Sequence, residues 1–258
     1  MSEPLTRLVV FIGSLALLAV AERLWPRQRV PGNRQSNRVQ HIVLGAINVL
    51  TARFLLPWTA YSVAQWAAPH GYGLLRLWPL PEPANLLAAL LLLDLSIYLQ
   101  HWAMHRWGPL WRLHAVHHED AFLDVTTGLR FHPGEILVSA FWKILVVLAT
   151  GATPFSIIVF ELCLSSSALF THANISISPS LSRALQALIV TPDLHREHHR
   201  PLPADQLRQF GFNFSFWDRF FGTRAHARGL SAARDEVGLL SDRQPACNLV
   251  QILARPFF

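Results

Sequence analysis

Residues 195–199 read HREHH and residues 114–118 read HAVHH, the same spacing twice, while residues 101–105 read HWAMH. On a helix, positions i, i+3 and i+4 share a face. His101 with His105, His114 with His117 and His118, and His195 with His198 and His199 can therefore each aim their rings at one point. Neutral imidazole is the commonest protein metal ligand and suits Fe, Zn, Cu and Ni. One ion takes roughly four to six ligands, so eight histidines predict two ions. A surface cluster of this size without metal would gather like charge below about pH 6.5 with nothing to offset it. His41, His70 and His226 stand alone and read as ordinary solvated or core residues. Other metal chemistries fit less well. Neither H-E-x-x-H nor H-x-x-E-H spacing occurs, haem needs only one or two axial ligands, and the E-x-x-H pairs of carboxylate di-iron bundles are missing.

The elements that must carry these histidines are apolar. Hydrophobic residues make up 52% of the 258 and charged residues only 15%, against about 25% in soluble domains. Long apolar runs predict membrane spans. Residues 5–25 form the first; with Glu3 before it and ERLWPR after it, it reads as a retained transmembrane helix rather than a cleaved signal. Residues 39–68 form a second, interrupted by Arg53 and Pro57 and therefore expected to tilt or kink. A Pro- and Gly-rich loop, 69–83, precedes the run 84–106, which as a helix of about 34 Å crosses a core of about 30 Å. Runs 134–150 and 154–173 follow, joined by GATP, and predict an antiparallel hairpin. Lys143 sits within the first of them. From about residue 180 the chain turns polar. The two cysteines, Cys163 and Cys247, support neither a disulfide framework nor a thiolate metal site.

The net charge is +6, with 21 Arg and one Lys among the cations. No nucleic-acid motif accompanies it, so the excess reads as membrane anchoring. Arg23, Arg27, Arg29, Arg34 and Arg38 lie between the first two spans, Arg76 alone lies in the next loop, and 151–153 holds no cation. The positive-inside rule makes the arginine-rich side cytoplasmic. Threading from there gathers every histidine group on that side, with the N-terminus outside and the C-terminus inside.

HxxxH, HxxHH and HxxHH, in this order on a multi-span chain, resemble the fatty acid hydroxylase and sterol desaturase superfamily. HRWGPLWRLHAVHHEDAFLDVTTGLRFHPGEI, FTHANI, TPDLHREHH and FGFNFSFWDRFFGT resemble its bacterial members, over roughly residues 85–224. The resemblance implies an integral-membrane, non-haem di-iron enzyme that uses O2 to hydroxylate or desaturate lipids. It implies iron ligands at His101, His105, His114, His117, His118, His195, His198 and His199. It adds His172 of FTHANI, and His132 of RFHP as either a ligand or a cap of its loop. The chain departs from the family pattern after its last histidines, where it reads RPLPADQLRQFGFN; this bears on the loop and substrate contacts rather than on the metal.

Carboxylates often accept the second N–H of a ligand histidine. Glu119, Asp120 and Asp124 follow the second group closely and are expected to orient it. Asp94 lies two turns deeper than His101, expected near Ser165 or Ser166 at the deep end of a substrate cavity or paired with Lys143; Glu161 lies three turns before His172. Ionisable groups inside spans are costly and usually functional or paired. FWDRFFG, 216–222, reads as a segment packing the cap, and LVQILARPFF as an interfacial helix.

The expected fold is all-α: an integral membrane helical bundle of about four to five spans with a cytosolic helical cap holding a histidine-rich di-iron site. The expected regions are 1–83, transmembrane; 84–225, the histidine-bearing domain; and 226–258, a cytosolic tail. The expected location is a bacterial inner membrane. The cofactors expected are two Fe ions, with O2 as co-substrate. The partners expected are a bilayer lipid as substrate and a ferredoxin- or cytochrome-type electron donor, since no flavin, haem or Fe–S motif is present. Nucleic acid is not expected. Two alternatives stay open: a di-metal enzyme that cleaves or rearranges a lipid, and a divalent-metal transporter or sensor. A transporter would place its ligands near the midplane on broken helices.

Overall fold

The computed structural model describes residues 2–257 except 33, 79, 225–235 and 240–247. His226 and Cys247 therefore lie outside the described residues. Within them the regular structure is helical, with two isolated β-bridges, Pro26–Ile175 and Ile189–Phe214. Five segments are long and apolar enough to cross a membrane: Glu3–Leu24, Arg34–Arg76, Glu82–Arg106, Pro133–Thr150 and Pro154–His172. The protein is an integral membrane helical bundle.

Helix α1 spans Glu3–Leu24 and α2 spans Arg34–Leu55. The second segment does break where expected. Pro57 disfavours helical geometry at Leu56, α2 stops at Leu55, and a short α3, Ala60–Ala67, restarts behind a Thr59–Ser62 capping box. Helix α4 spans Glu82–Arg106 and α5 spans Gly108–His118, separated at Trp107 because Gly108 and Pro109 end one helix and begin the next. A 3-10 helix, Val125–Leu129, leads to α6, Pro133–Thr150, and α7, Pro154–His172. The cap then adds α8, Pro179–Leu185; α9, Pro192–His198; α10, Pro203–Gln206; α11, Phe216–Phe220; and α12, Leu249–Ala254.

The core lies at the end away from the histidines. There Ala60, Val63 and Ala64 of α3 pack with Leu93, Val147, Ile157 and Phe160. This packing changes the expected hairpin. Helices α3 and α4 each pack against both α6 and α7, in place of a closely packed α6–α7 pair. Helices α6 and α7 are linked by Lys143, which donates to Glu161; Glu161 also accepts from Arg7. At the histidine end the 3-10 helix lies on α7 so closely that a Cβ on Gly128 would stand 2.7 Å from the Ala168 carbonyl oxygen.

The loop after α1 is tied to the chain leaving α7. Ser176 N donates to Trp25 O at 2.8 Å, Arg27 N to Asn174 O at 3.1 Å, and Arg27 pairs with Asp193. Helix α12 does not lie free on a surface: Ile252 packs with Leu44 and Val116, and Arg255 pairs with Glu119 at 2.9 Å.

Candidate metal centre

Nine buried histidines meet between the ends of α4, α5, α7 and α9, in two groups. His101, His105, His114, His118 and His198 form one; His117, His172, His195 and His199 form the other. Each HxxHH motif is divided between them. At 100° per residue, i+3 and i+4 stand about 100° apart around the helix, so they cannot converge on one point. Helix α5 sends His114 and His118 to the first group and His117 to the second. The α9 segment sends His198 to the first and His195 with His199 to the second. The expectation that each motif aims at one point is corrected accordingly, while two adjacent groups result.

In five of the nine, an acceptor holds Nδ1, while Nδ1 of His118, His195 and His199 is buried without a hydrogen-bond partner. His101 Nδ1 donates to Phe210 O at 3.0 Å, His117 Nδ1 to Arg130 O at 3.2 Å, His172 Nδ1 to Ala168 O at 2.6 Å and His198 Nδ1 to Arg208 O at 2.7 Å. His114 Nδ1 donates to Glu135 Oε1 at 2.8 Å. A carbonyl acceptor requires the hydrogen on Nδ1, which leaves Nε2 as a bare lone pair. In the first group Nε2 of His105, His114, His118 and His198 is buried without a hydrogen-bond partner. Each such atom costs about 1–3 kcal/mol when nothing binds it. In the second group Nε2 of His172 lies 2.9 Å from Nε2 of both His117 and His195, and His195 Nε2 lies 3.1 Å from His199 Nε2. His117 and His172 both have their hydrogen on Nδ1, so two lone pairs face each other there and repel unless a cation lies between them. Within each group the ligand atoms all fall within 4.8 Å of one another, near twice a metal–imidazole distance of about 2.1 Å. The residues fit one ion per group.

Burial favours the neutral form that a ligand must have. It pushes the imidazoles of His117, His118, His195 and His199 well below their ordinary range, with neighbouring histidines adding to the effect, and His198 down to about 3.

His132 lies outside both groups. Its Nδ1 accepts from Gly134 N at 3.0 Å, capping α6, and its Nε2 donates to Leu253 O at 3.1 Å. Both ring nitrogens are committed, so of the two expected roles it takes the cap. His41 is a satisfied core residue between Thr126 and Arg130, and exposed His70 stacks on Trp66.

The carboxylates are redistributed. Glu119, Asp120 and Asp124 do not touch a ligand histidine. Arg34 grips Asp120 at 2.7 and 2.9 Å and Asp124 at 2.6 Å, Arg38 adds 2.9 Å to Asp124, and Glu119 pairs with Arg130 at 3.3 Å. Burial pushes both aspartates up, but the Arg34 guanidinium more than offsets it and holds them below the ordinary carboxylate range. They act at one remove, fixing the 3-10 helix and the Arg130 backbone whose carbonyl holds His117. The carboxylate that does touch a ligand is Glu135, in the first turn of α6. The sequence offered no local signal for it, since 21 residues separate it from His114.

Asp94 also differs from expectation. It meets neither Ser165, Ser166 nor Lys143. Its Oδ1 accepts from Asn213 N at 3.2 Å and Asn213 Nδ2 at 2.8 Å, and its Oδ2 from Phe214 N at 3.2 Å and Trp217 Nε1 at 3.0 Å. Asp218 grips the same loop from the other side, accepting from Phe210 N at 2.7 Å and Gly211 N at 2.8 Å. A Cβ on Gly211 would meet Asp218 Oδ2 at 2.6 Å. The two aspartates thus position the Phe210 carbonyl that orients His101.

A mostly apolar cavity of about 340 Å³ opens on the centre, lined chiefly by α4 and α6 with Leu164 and His172 of α7. His101, His117, His172 and His195 line one end. Glu135, Ser139 and Lys143 of α6 run along its wall at helical spacing, about 12 Å from first to last at 1.5 Å per residue. Gln100 Nε2 donates to Ser139 Oγ at 2.5 Å beside them.

The chain resembles known proteins over this region. It is 28% identical over 231 residues, 83% of the chain, to the ornithine lipid hydroxylase OlsE of Rhizobium tropici, and 28% identical over 145 residues, 56% of the chain, to an alkylglycerol monooxygenase of Caenorhabditis elegans. It spans 66% of the first relative's length and 28% of the second's. No solved structure matches. Residues 86–223, which carry all nine grouped histidines, match the fatty acid hydroxylase family, and the chain belongs to that family.

Proposed function

We propose that this protein is a membrane-bound di-iron oxidoreductase that hydroxylates or desaturates a lipid, with O2 as oxidant and electrons from a separate ferredoxin- or cytochrome-type protein. The observation that carries the reading is the meeting of two all-imidazole groups with an apolar cavity lying between membrane helices. His101, His105, His114, His118 and His198 would hold one iron, and His117, His172, His195 and His199 the other. When bound, the metals supply O2 activation and abstraction of hydrogen from a lipid C–H. The two relatives' names, a lipid hydroxylase and a monooxygenase, support the same class.

The chain's own residues have separable tasks. Backbone carbonyls and Glu135 fix the tautomers and ring directions of His101, His114, His117, His172 and His198, so their Nε2 lone pairs are aimed before metal arrives. The apolar walls exclude water, which keeps the reacting carbon away from competing proton sources. Ser139 and Gln100 give the cavity a polar spot near His101, a place for a hydrogen-bonding group of the lipid. The arginine distribution supports a site on the cytoplasmic side of the membrane, which we take to be a bacterial inner membrane. The collection of the ligands at the ends of spans weighs against a transporter.

Purified protein is expected to carry about two irons per chain, one per histidine group, and to consume O2 only when both a lipid extract and a reduced one-electron donor are supplied. Bound zinc with no lipid-dependent uptake would overturn the reading in favour of a non-oxidative di-metal enzyme.

A further inference from the structure

A second gap opens between α1 and α2. These consecutive spans pack mainly on other elements and meet through the pair of Arg38 on α2 with Glu22 on α1, at 3.7 Å. Helix α1 packs on α7, while α2 packs on α6 and on the 3-10 helix. The reason is the loop joining them, which is held to residues 174–176. The result is a groove of about 510 Å³. Its walls are apolar where they face the bilayer: Leu15 and Ala19 on α1, Val39 and Ile42 on α2. Val39 and Ile42 are each 52% exposed. At the membrane surface the groove ends on Arg23, Arg29 and Arg38.

Two of these arginines have no use inside the protein. Arg38 pairs with Asp124, but Arg23 and Arg29 are exposed and make no hydrogen bond or ion pair with any described residue. The groove's one carboxylate, Glu22, is committed within the protein: Oε1 accepts from Val125 N at 2.6 Å and Asn174 N at 2.7 Å, and Oε2 pairs with Arg38 at 3.7 Å. A gap of this size between spans does not stay empty in hydrocarbon, because lining atoms without neighbours forfeit their dispersion contacts. Acyl chain fills the apolar part. The headgroup of that same lipid then lies against guanidinium forks, whose geometry matches phosphate oxygens.

We propose that the α1–α2 groove is a binding site for an anionic phospholipid, with an acyl chain between Leu15, Ala19, Val39 and Ile42 and the phosphate held by Arg23 and Arg29. The site is separate from the histidine cavity and does not depend on the enzymatic reading. Basic pockets between spans take anionic headgroups for the same electrostatic reason. Because α1 touches the bundle mainly through α7, a lipid wedged here also holds α1 to α2.

The test uses the full-length protein, delipidated in detergent and titrated with phosphatidylglycerol or phosphatidylcholine, with retained lipid counted by native mass spectrometry. Tight retention of one phosphatidylglycerol and weak retention of phosphatidylcholine is expected. The double change Arg23→Gln and Arg29→Gln is expected to weaken phosphatidylglycerol about 30-fold, the equivalent of about 1 kcal/mol per arginine. Arg106→Gln with Arg112→Gln, which removes the same charge from the same face elsewhere, is expected to leave it unchanged. Ala19→Trp, which fills the apolar part, is expected to displace the lipid while keeping the arginines. Equal weakening by both double variants would reduce the effect to general surface attraction and overturn the proposal. So would equal affinity for the two lipids, or full competition by glycerol phosphate at the same concentrations, which would mark a soluble-anion site.

Discussion

Asp94 offers the sharpest test of how the centre is held. All four of its partners are donors: two backbone amides, one side-chain amide and one indole N–H. Asp94→Ala leaves four buried N–H groups unpaired, at about 1–3 kcal/mol each. That sum rivals the whole stability of a typical domain, about 5–15 kcal/mol. The loop therefore detaches and wets its donors instead of enduring the penalty, and we expect a net loss of about 3–4 kcal/mol. Asp94→Asn is informative because it is nearly isosteric. It keeps one acceptor oxygen but turns an NH2 toward other N–H groups, so it should lose about half as much, roughly 2 kcal/mol. The consequence reaches the metal through the Phe210 carbonyl, which is no longer fixed against His101 Nδ1. Loss of such an outer partner typically costs 10–100-fold in metal affinity. Chelator competition measures the affinity and thermal unfolding measures the stability, both independent of lipid turnover. Asp94→Asn with unaltered metal affinity and unfolding temperature would refute the reasoning, because the loop would then not depend on this carboxylate.

Glu135→Leu is expected to weaken metal at the first group by about 10–100-fold without unfolding the bundle, again read by chelator competition. His132→Ala should keep its full metal content and lose about 1 kcal/mol from the missing α6 cap; metal loss would return His132 to the ligand set. Arg34→Met leaves Asp120 and Asp124 buried without their main partner, at an expected cost of about 3–5 kcal/mol, visible as a lower denaturant midpoint. The pH dependence of metal-stripped protein follows from burial, which pushes His198 down to about 3, while the unfolded imidazole titrates near 6.5. The unfolded state thus binds the proton first as pH falls. Stability is full above about pH 6.5 and declines toward pH 3, by about 1.4 kcal/mol per pH unit for each such histidine. Equal denaturant midpoints at pH 7 and pH 5 would contradict this.

Much was legible without a structure because the signals are local. Histidines at i, i+3 and i+4 announce a metal whatever surrounds them. Apolar runs long enough to cross a bilayer announce spans, and Pro57 announced the break that ends α2 at Leu55. Tertiary structure decided what depends on angles and on distant neighbours. Helical rotation separates i+3 from i+4, so each HxxHH is divided between two groups instead of serving one. Asp94 and Glu135 have their partners 119–123 and 21 residues away, and no sequence window links them. Glu119, Asp120 and Asp124 stand next to the histidines in sequence yet turn toward Arg34, Arg38 and Arg130, because a buried carboxylate needs a cation more than a ligand histidine needs a carboxylate. The cavity lined by α4, α6 and α7 and the groove between α1 and α2 arise from which elements pack against or tether those helices. Packing of that kind is a property of the assembled bundle and leaves no trace in either helix alone.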